Sequence, residues 1–128
     1  MDILHLEGSR STPEIFFDPA SGILRMSGES FPENSFEFYK PVLSWLSRYL
    51  AVQTGPAFLK VHFSYLNTGS TKCLMDILDL LEEAFLKGKA VEVHWHYDAD
   101  NDRALEAAEE FQEEVTLPFR IVAVSEAS

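Results

Sequence analysis

Two segments of this chain alternate between apolar and polar side chains. Over residues 57–66, Leu59, Val61, Phe63 and Tyr65 oppose Lys60, His62 and Ser64. Over residues 90–97, Val91, Val93, Trp95 and Tyr97 oppose Glu92, His94 and His96. A period of two marks a strand with one buried face. Between them Leu74, Ile77, Leu78, Leu81 and Phe85 recur at helical spacing, which predicts a helix over residues 70–87. Gly88 suits a left-handed cap at its end. Strand, helix, strand makes a crossover, the connection that parallel strands need. Parallel strands covered on both faces read as continuous apolar runs. These two do not, so the helices must lie mainly on one face of the sheet and leave the other at least partly open.

The rest of the chain extends the same unit. Residues 3–7 suit a short first strand, and residues 13–17 and 23–27 flank Asp18-Pro19-Ala20-Ser21-Gly22 as a hairpin. A helix starts near Asn34, with Glu37 three residues on as in a capping box. Phe38, Val42, Trp45, Leu46 and Tyr49 form its stripe, and Pro41 inside it predicts a kink or a split. Asp100 or Asn101 can cap a third helix with Ala104, Ala108, Phe111 and Val115 on its apolar face. Pro118 ends it, and residues 119–124 read as the last strand. The expected fold is α/β: an N-terminal β-hairpin, then alternating α and β, in a mixed sheet. A length of 128 residues fits one domain over residues 1–128.

Charge limits the partners. The chain carries −11 at neutral pH, and residues 98–114 hold eight acids against one base, Arg103. Such a surface repels phosphate backbones and anionic lipids, so neither nucleic acid nor a membrane is an expected partner. The acidic stretch reads as a solvated helix face or as a docking surface for a basic partner. No apolar run approaches the length of a membrane span, and Met1-Asp2-Ile3-Leu4 lacks the features of a secretory signal. The single cysteine, Cys73, excludes an internal disulfide and fits a reducing cytoplasm.

Enzyme signatures are weak, and no cofactor is expected. His94 and His96 share a strand face that His62 could join, with Glu92 as a further ligand for zinc, but no HExxH or cysteine pair supports a metal site. Histidines on a polar sheet face are the simpler reading. Cys73 lies near a helix start, where a thiol can be activated, yet beside Leu74 it reads as a packed small residue. Gly55, Gly69 and Gly88 form no phosphate-cradling motif, and no two acids stand out as an acid–base pair. Trp45 and Trp95 read as core.

One turn is overendowed. Asn67-Thr68-Gly69-Ser70-Thr71-Lys72 stands where a strand hands over to a helix, a place that favours binding sites. Gly69 permits positive φ, and Thr68, Ser70 or Thr71 can cap the helix. One cap needs one hydroxyl. The others lie where free backbone N–H groups and the helix dipole favour an anion, so a phosphorylated Thr68 would fit, with Lys72 to help meet the charge.

The segments Arg10-Ser11-Thr12-Pro13-Glu14-Ile15, SGESFPEN (27–34), FYKPVLSWL (38–46), YLNTGSTK (65–72) and VEVHWHYDADND (91–102) resemble the SiaC family of bacterial regulatory phosphoproteins, over nearly the whole chain. The resemblance implies a fold similar to the STAS domains of anti-anti-sigma factors, and a non-enzymatic function. It implies switching by a dedicated serine/threonine kinase of the anti-sigma type and a PP2C-type phosphatase, with the unphosphorylated form binding and activating a diguanylate cyclase. The family's phosphoacceptor threonine falls on Thr68, and Asn67, Gly69, Ser70 and Lys72 surround it as the expected partner-binding loop. An anti-anti-sigma factor using the same switch on another target is the alternative.

Overall fold

The computed structural model describes residues 1–125. Its elements are β1 (Leu4–Leu6), β2 (Glu14–Asp18), β3 (Ile23–Ser30), α1 (Ser35–Val52), β4 (Ala57–Leu66), α2 (Thr68–Leu86), β5 (Val91–Asp98), α3 (Asp102–Glu113) and β6 (Phe119–Val124). All six strands form one sheet in sequence order, antiparallel from β1 to β3 and parallel from β3 to β6. The sheet therefore grows in one direction. Crossovers of the usual right hand then place α1, α2 and α3 on the same face.

Burial follows this layering. Ile15, Phe17, Leu24, Met26, Leu59, Val61, Val93 and Trp95 are buried under the helices, with Leu46, Leu74, Ile77 and Leu78 meeting them from α1 and α2. The alternate residues line the open face. There the register joins His5, Phe16, Arg25, Lys60, His94 and Arg120 in one row across six strands. Trp45 and Trp95 belong to the core as expected, and the Trp45 indole donates to the carbonyl of Asp2 at 2.8 Å.

The helix ends show local chemistry at work. The Asn34 side chain caps α1 by accepting from the Glu37 N–H at 3.1 Å, and Asn101 caps α3 by accepting from Ala104 at 3.1 Å. Gly88 takes φ +94 beyond α2, where Gly88 N–H reaches Phe85 O and Lys89 N–H reaches Ala84 O, closing the last turn. The helix is not split at Pro41: α1 runs without interruption through it. Proline removes one backbone bond, to the carbonyl of Glu37. Both residues are exposed, so water can take its place.

A second departure occurs in β4. Gly28 pairs with Phe63 but Glu29 pairs with Tyr65, so Ser64 is an extra residue in the parallel ladder. The bulge reverses the side-chain alternation beyond it. Tyr65, expected to face inward with Phe63, is 54% exposed, while Leu66 packs against the core.

Gly22 illustrates how tightly the amino end of the sheet is closed. It adopts φ +73, and a Cβ there would stand 2.3 Å from the carbonyl oxygen of Pro56. Its own carbonyl accepts from Phe58 at 2.8 Å. Gly22→Ala should destabilise the fold by about 2 kcal/mol or more, read as a lower urea midpoint at unchanged m-value. A loss below about 0.5 kcal/mol would contradict this packing.

Candidate functional site

The β4–α2 turn separates its hydroxyls into different roles. Asn67 is the cap of α2, in place of the threonines or serine expected there. Its side-chain oxygen accepts from Ser70 N–H at 2.8 Å, and α2 accordingly begins at Thr68 rather than Ser70. The Thr71 hydroxyl turns back to donate to Asn67 O at 3.1 Å. Ser70 has no exposed surface. Its hydroxyl shares a hydrogen bond of 2.7 Å with Ser30, which shares another of 2.7 Å with Tyr39. Ser35 joins the same cluster, 3.5 Å from Ser70 and 3.5 Å from the Asn67 side chain. Ser70 therefore braces the turn from beneath and has no side-chain surface of its own to offer a partner.

Thr68 differs from both neighbours. It is exposed, and its hydroxyl makes no hydrogen bond among the described residues. At the start of α2, Asn67 N–H donates to Ser30 O at 2.9 Å and Ser70 N–H is taken by the cap. The N–H groups of Thr68 and Gly69 remain without helical partners. The first turn of α1 carries Glu37 and that of α3 carries Asp102, but that of α2 carries no acid. The positive end of the α2 dipole is thus left uncompensated beside Thr68. Lys72 is exposed four residues on, on the same helix side, and enters no ion pair among the described residues.

Gly69 has a different purpose from the one its position suggested. It does not adopt positive φ. A Cβ there would stand 2.7 Å from Ser35 Oγ and 3.1 Å from Ser35 Cβ. Glycine is needed because the first turns of α1 and α2 come together at this point. That approach closes the buried hydroxyl cluster around Ser30, Ser35, Tyr39 and Ser70. Burial, the largest influence, pushes the Tyr39 phenol up to about 12, so it stays protonated at neutral pH.

Aromatic side chains surround the turn. Phe31 and Tyr65 meet edge to face, with ring centroids 5.9 Å apart. Phe36, in the first turn of α1, is 67% exposed. A cleft of about 100 Å³, rimmed by Tyr65, Leu66, Thr71 and Arg103, lies between the carboxyl end of β4 and α3. The sequence pattern did not place Phe31 and Phe36 at this site, nor Ser30, Ser35 and Tyr39. Their signal is spatial: Ser30 and Ser70 are 40 positions apart.

The other candidates do not assemble. His62 pairs with Asp98 at 3.0 Å, and His94 pairs with Glu92. Burial, opposed by a backbone bond to Val61, lowers the basicity of His96; the nearby His62, His94 and Lys60 lower it further. Among the described residues no group of three or more His, Cys, Asp or Glu side chains could hold a metal ion. Cys73 is buried, and burial, then Asp76, raises its thiol above the usual range. It is a core residue, without the exposure or acidity of a nucleophile. No helix among the described residues is long and apolar enough to cross a membrane.

Comparisons with known proteins agree on one family. The model of the SiaC family of regulatory phosphoproteins matches residues 6–124. An uncharacterised protein of Pseudomonas aeruginosa strain UCBPP-PA14 is 48% identical over 126 residues, covering 98% of this chain and all of that protein. The structure of SiaC of Pseudomonas aeruginosa superposes with a TM-score of 0.91 at 48% identity, covering 97% of this chain and 100% of the other. A chain in the crystal structure of the diguanylate cyclase SiaD in complex with its activator SiaC, also from Pseudomonas aeruginosa, matches with a TM-score of 0.91 at 49% identity, covering 94% and 99% of the two chains.

The turn residues should separate in a stability scan. Thr68→Ala should change unfolding free energy by no more than about 0.5 kcal/mol. Ser70→Ala should cost about 1–2 kcal/mol, because it strands a buried hydroxyl bond, and Gly69→Ala about 1–3 kcal/mol, because it forces α1 and α2 apart. Equal effects at all three positions would disprove this division of roles.

Proposed function

This chain belongs to the SiaC family of regulatory phosphoproteins, and from that premise we propose that it is a non-enzymatic switch whose reversible phosphorylation on Thr68 controls the binding and activation of a diguanylate cyclase. A serine/threonine kinase of the anti-sigma type adds the phosphate and a PP2C-type phosphatase removes it. The observation that carries this reading is the state of Thr68. It is the exposed, unbonded hydroxyl of a turn whose other hydroxyls are engaged, at a helix start that bears no acid.

The direction of the switch follows from magnitudes. Phosphate adds about −1.5 to −2 of charge. Within the free protein, that charge meets the start of α2, the N–H groups of Thr68 and Gly69, and Lys72. The interaction stabilises by about 0.3–1 kcal/mol when exposed, so the fold changes little. Under a docked partner the same dianion needs donors that an interface built for a bare threonine lacks. Burying it there costs several kcal/mol, and each 1.4 kcal/mol is tenfold in affinity. The interface effect dominates, so the unphosphorylated form binds and the phosphorylated form releases. Phe31, Phe36 and Tyr65 support this placement, since exposed aromatic side chains are frequent anchors of an interface.

The test combines modification with binding. Mass spectrometry after incubation with the cognate kinase should find one phosphate, on Thr68, and none on the Thr68→Ala variant. That variant should retain cyclase binding, whereas the phosphorylated protein should bind at least about tenfold more weakly. Stoichiometric phosphorylation of Thr68→Ala, or equal binding by both forms, would sink the proposal.

A further inference from the structure

We propose that the open face of the sheet carries a second binding site, a groove for a small phosphoryl anion of the diphosphate class, seated between Arg25, Lys60, His62 and His96. The inference is independent of the Thr68 switch. Its basis is a row of cations that the strand register brings together beside a groove. The chain has 21 acids against 10 bases, and among the described residues Lys87 with Glu83 is the one ion pair made by a lysine or arginine, so what marks this face is the clustering of its cations rather than their being unpaired. Most carboxylates on this face are already engaged, Glu14 by His5, Asp98 by His62 and Glu92 by His94, while Asp18 accepts from Ala20 and Ser21 in its turn; Glu29, exposed beyond Ser27 at the carboxyl end of β3, enters no ion pair among the described residues. Arg25, Lys60 and Arg120, brought into one row by the register of β3 to β6, enter no ion pair among the described residues. All four histidines of the chain, at positions 5, 62, 94 and 96, lie on the same face.

The row also has a receptacle. A groove of about 310 Å³ is lined by Arg25, Ser27, Lys60, His62 and His96, with Val124 at one end. Adjacent strands stand about 4.8 Å apart, so Arg25 on β3 and Lys60 on β4 can each reach one of two linked phosphoryl groups. Ser27 supplies a further donor, and each imidazole adds one when it is protonated. A ligand rich in acceptor oxygens satisfies this set better than a single carboxylate does.

Size decides against larger polyanions. At physiological salt, fields fade over about 8 Å, so a small anion senses this row and not the acidic α3, which packs on the opposite face of the sheet. A nucleic acid or a membrane would also meet the surrounding surface, where the net −11 repels it.

His96 supplies the readout. It faces Lys60 and His62 on β4 and Arg25 beyond them, with Glu92, His94 and Asp98 on its own strand and Arg120 on β6. A bound anion favours its charged form and so raises its titration midpoint. The experiment follows the imidazole Cε1–Hε1 signals by NMR on the unphosphorylated chain, with pyrophosphate up to on the order of 1 mM at physiological salt. His62 and His96 should shift saturably, His5 should not, and the His96 midpoint should rise by about half a unit or more. Arg25→Ala combined with Lys60→Ala should weaken binding at least about tenfold with the backbone spectrum otherwise unchanged, while Thr68→Ala should respond as the parent does. Absence of a saturable shift, an undiminished response in the double variant, or equal binding of citrate would overturn the proposal and leave the Thr68 switch untouched.

Discussion

Ser70 lies without exposed surface between Ser30 and Ser35, and Ser30 in turn holds the phenol of Tyr39. This chain of hydroxyls ties the end of β3, the start of α1 and the start of α2 to one another. Buried polar groups are tolerable only when each finds a partner, and partners of this kind are directional. Gly69 makes the arrangement possible by letting Ser35 approach to a distance that a side chain would forbid. The exposed residue that precedes this brace is consequently presented on a rigid base. A phosphate placed on Thr68 would change the surface and spare the interior.

The sheet divides the remaining chemistry. Its strands succeed one another in sequence order, so one face receives all the helices and the other receives none. The covered face holds the aromatic and aliphatic core around Trp95. The open face holds the histidines and a row of cations on an otherwise acidic molecule. The carboxyl ends of the strands, where β4 passes into α2, hold the turn. The two surfaces differ in chemistry: one offers aromatic contact around a neutral hydroxyl, the other positive charge.

Much of this was legible in the chain. Alternation in β4 and β5 disclosed an open face, and Asn34, Asn101 and Gly88 marked helix ends because capping depends on a few neighbouring residues. The excess of hydroxyls where a strand passes into a helix pointed to the turn, and the resemblance carried by YLNTGSTK implied Thr68 as its phosphoacceptor. What escaped notice depended on contacts distant in sequence. Gly69 suggests a left-handed turn until Ser35 is placed beside it, and Ser70 suggests a surface hydroxyl until Ser30 arrives from 40 residues away. Pro41 does not divide α1 for the opposite reason: its local penalty is real, but it falls on the solvent side of the helix, where water can absorb it.

The extra residue in β4 has an evolutionary corollary. Because Ser64 shifts the ladder by one, Tyr65 looks outward and Leu66 inward only while that strand keeps its length. Many identities could drift at Ser64 itself, which is exposed. An insertion or deletion there could not, since it would exchange core for surface just ahead of Asn67. Relatives that diverge widely in composition along this edge should therefore still conserve its residue count.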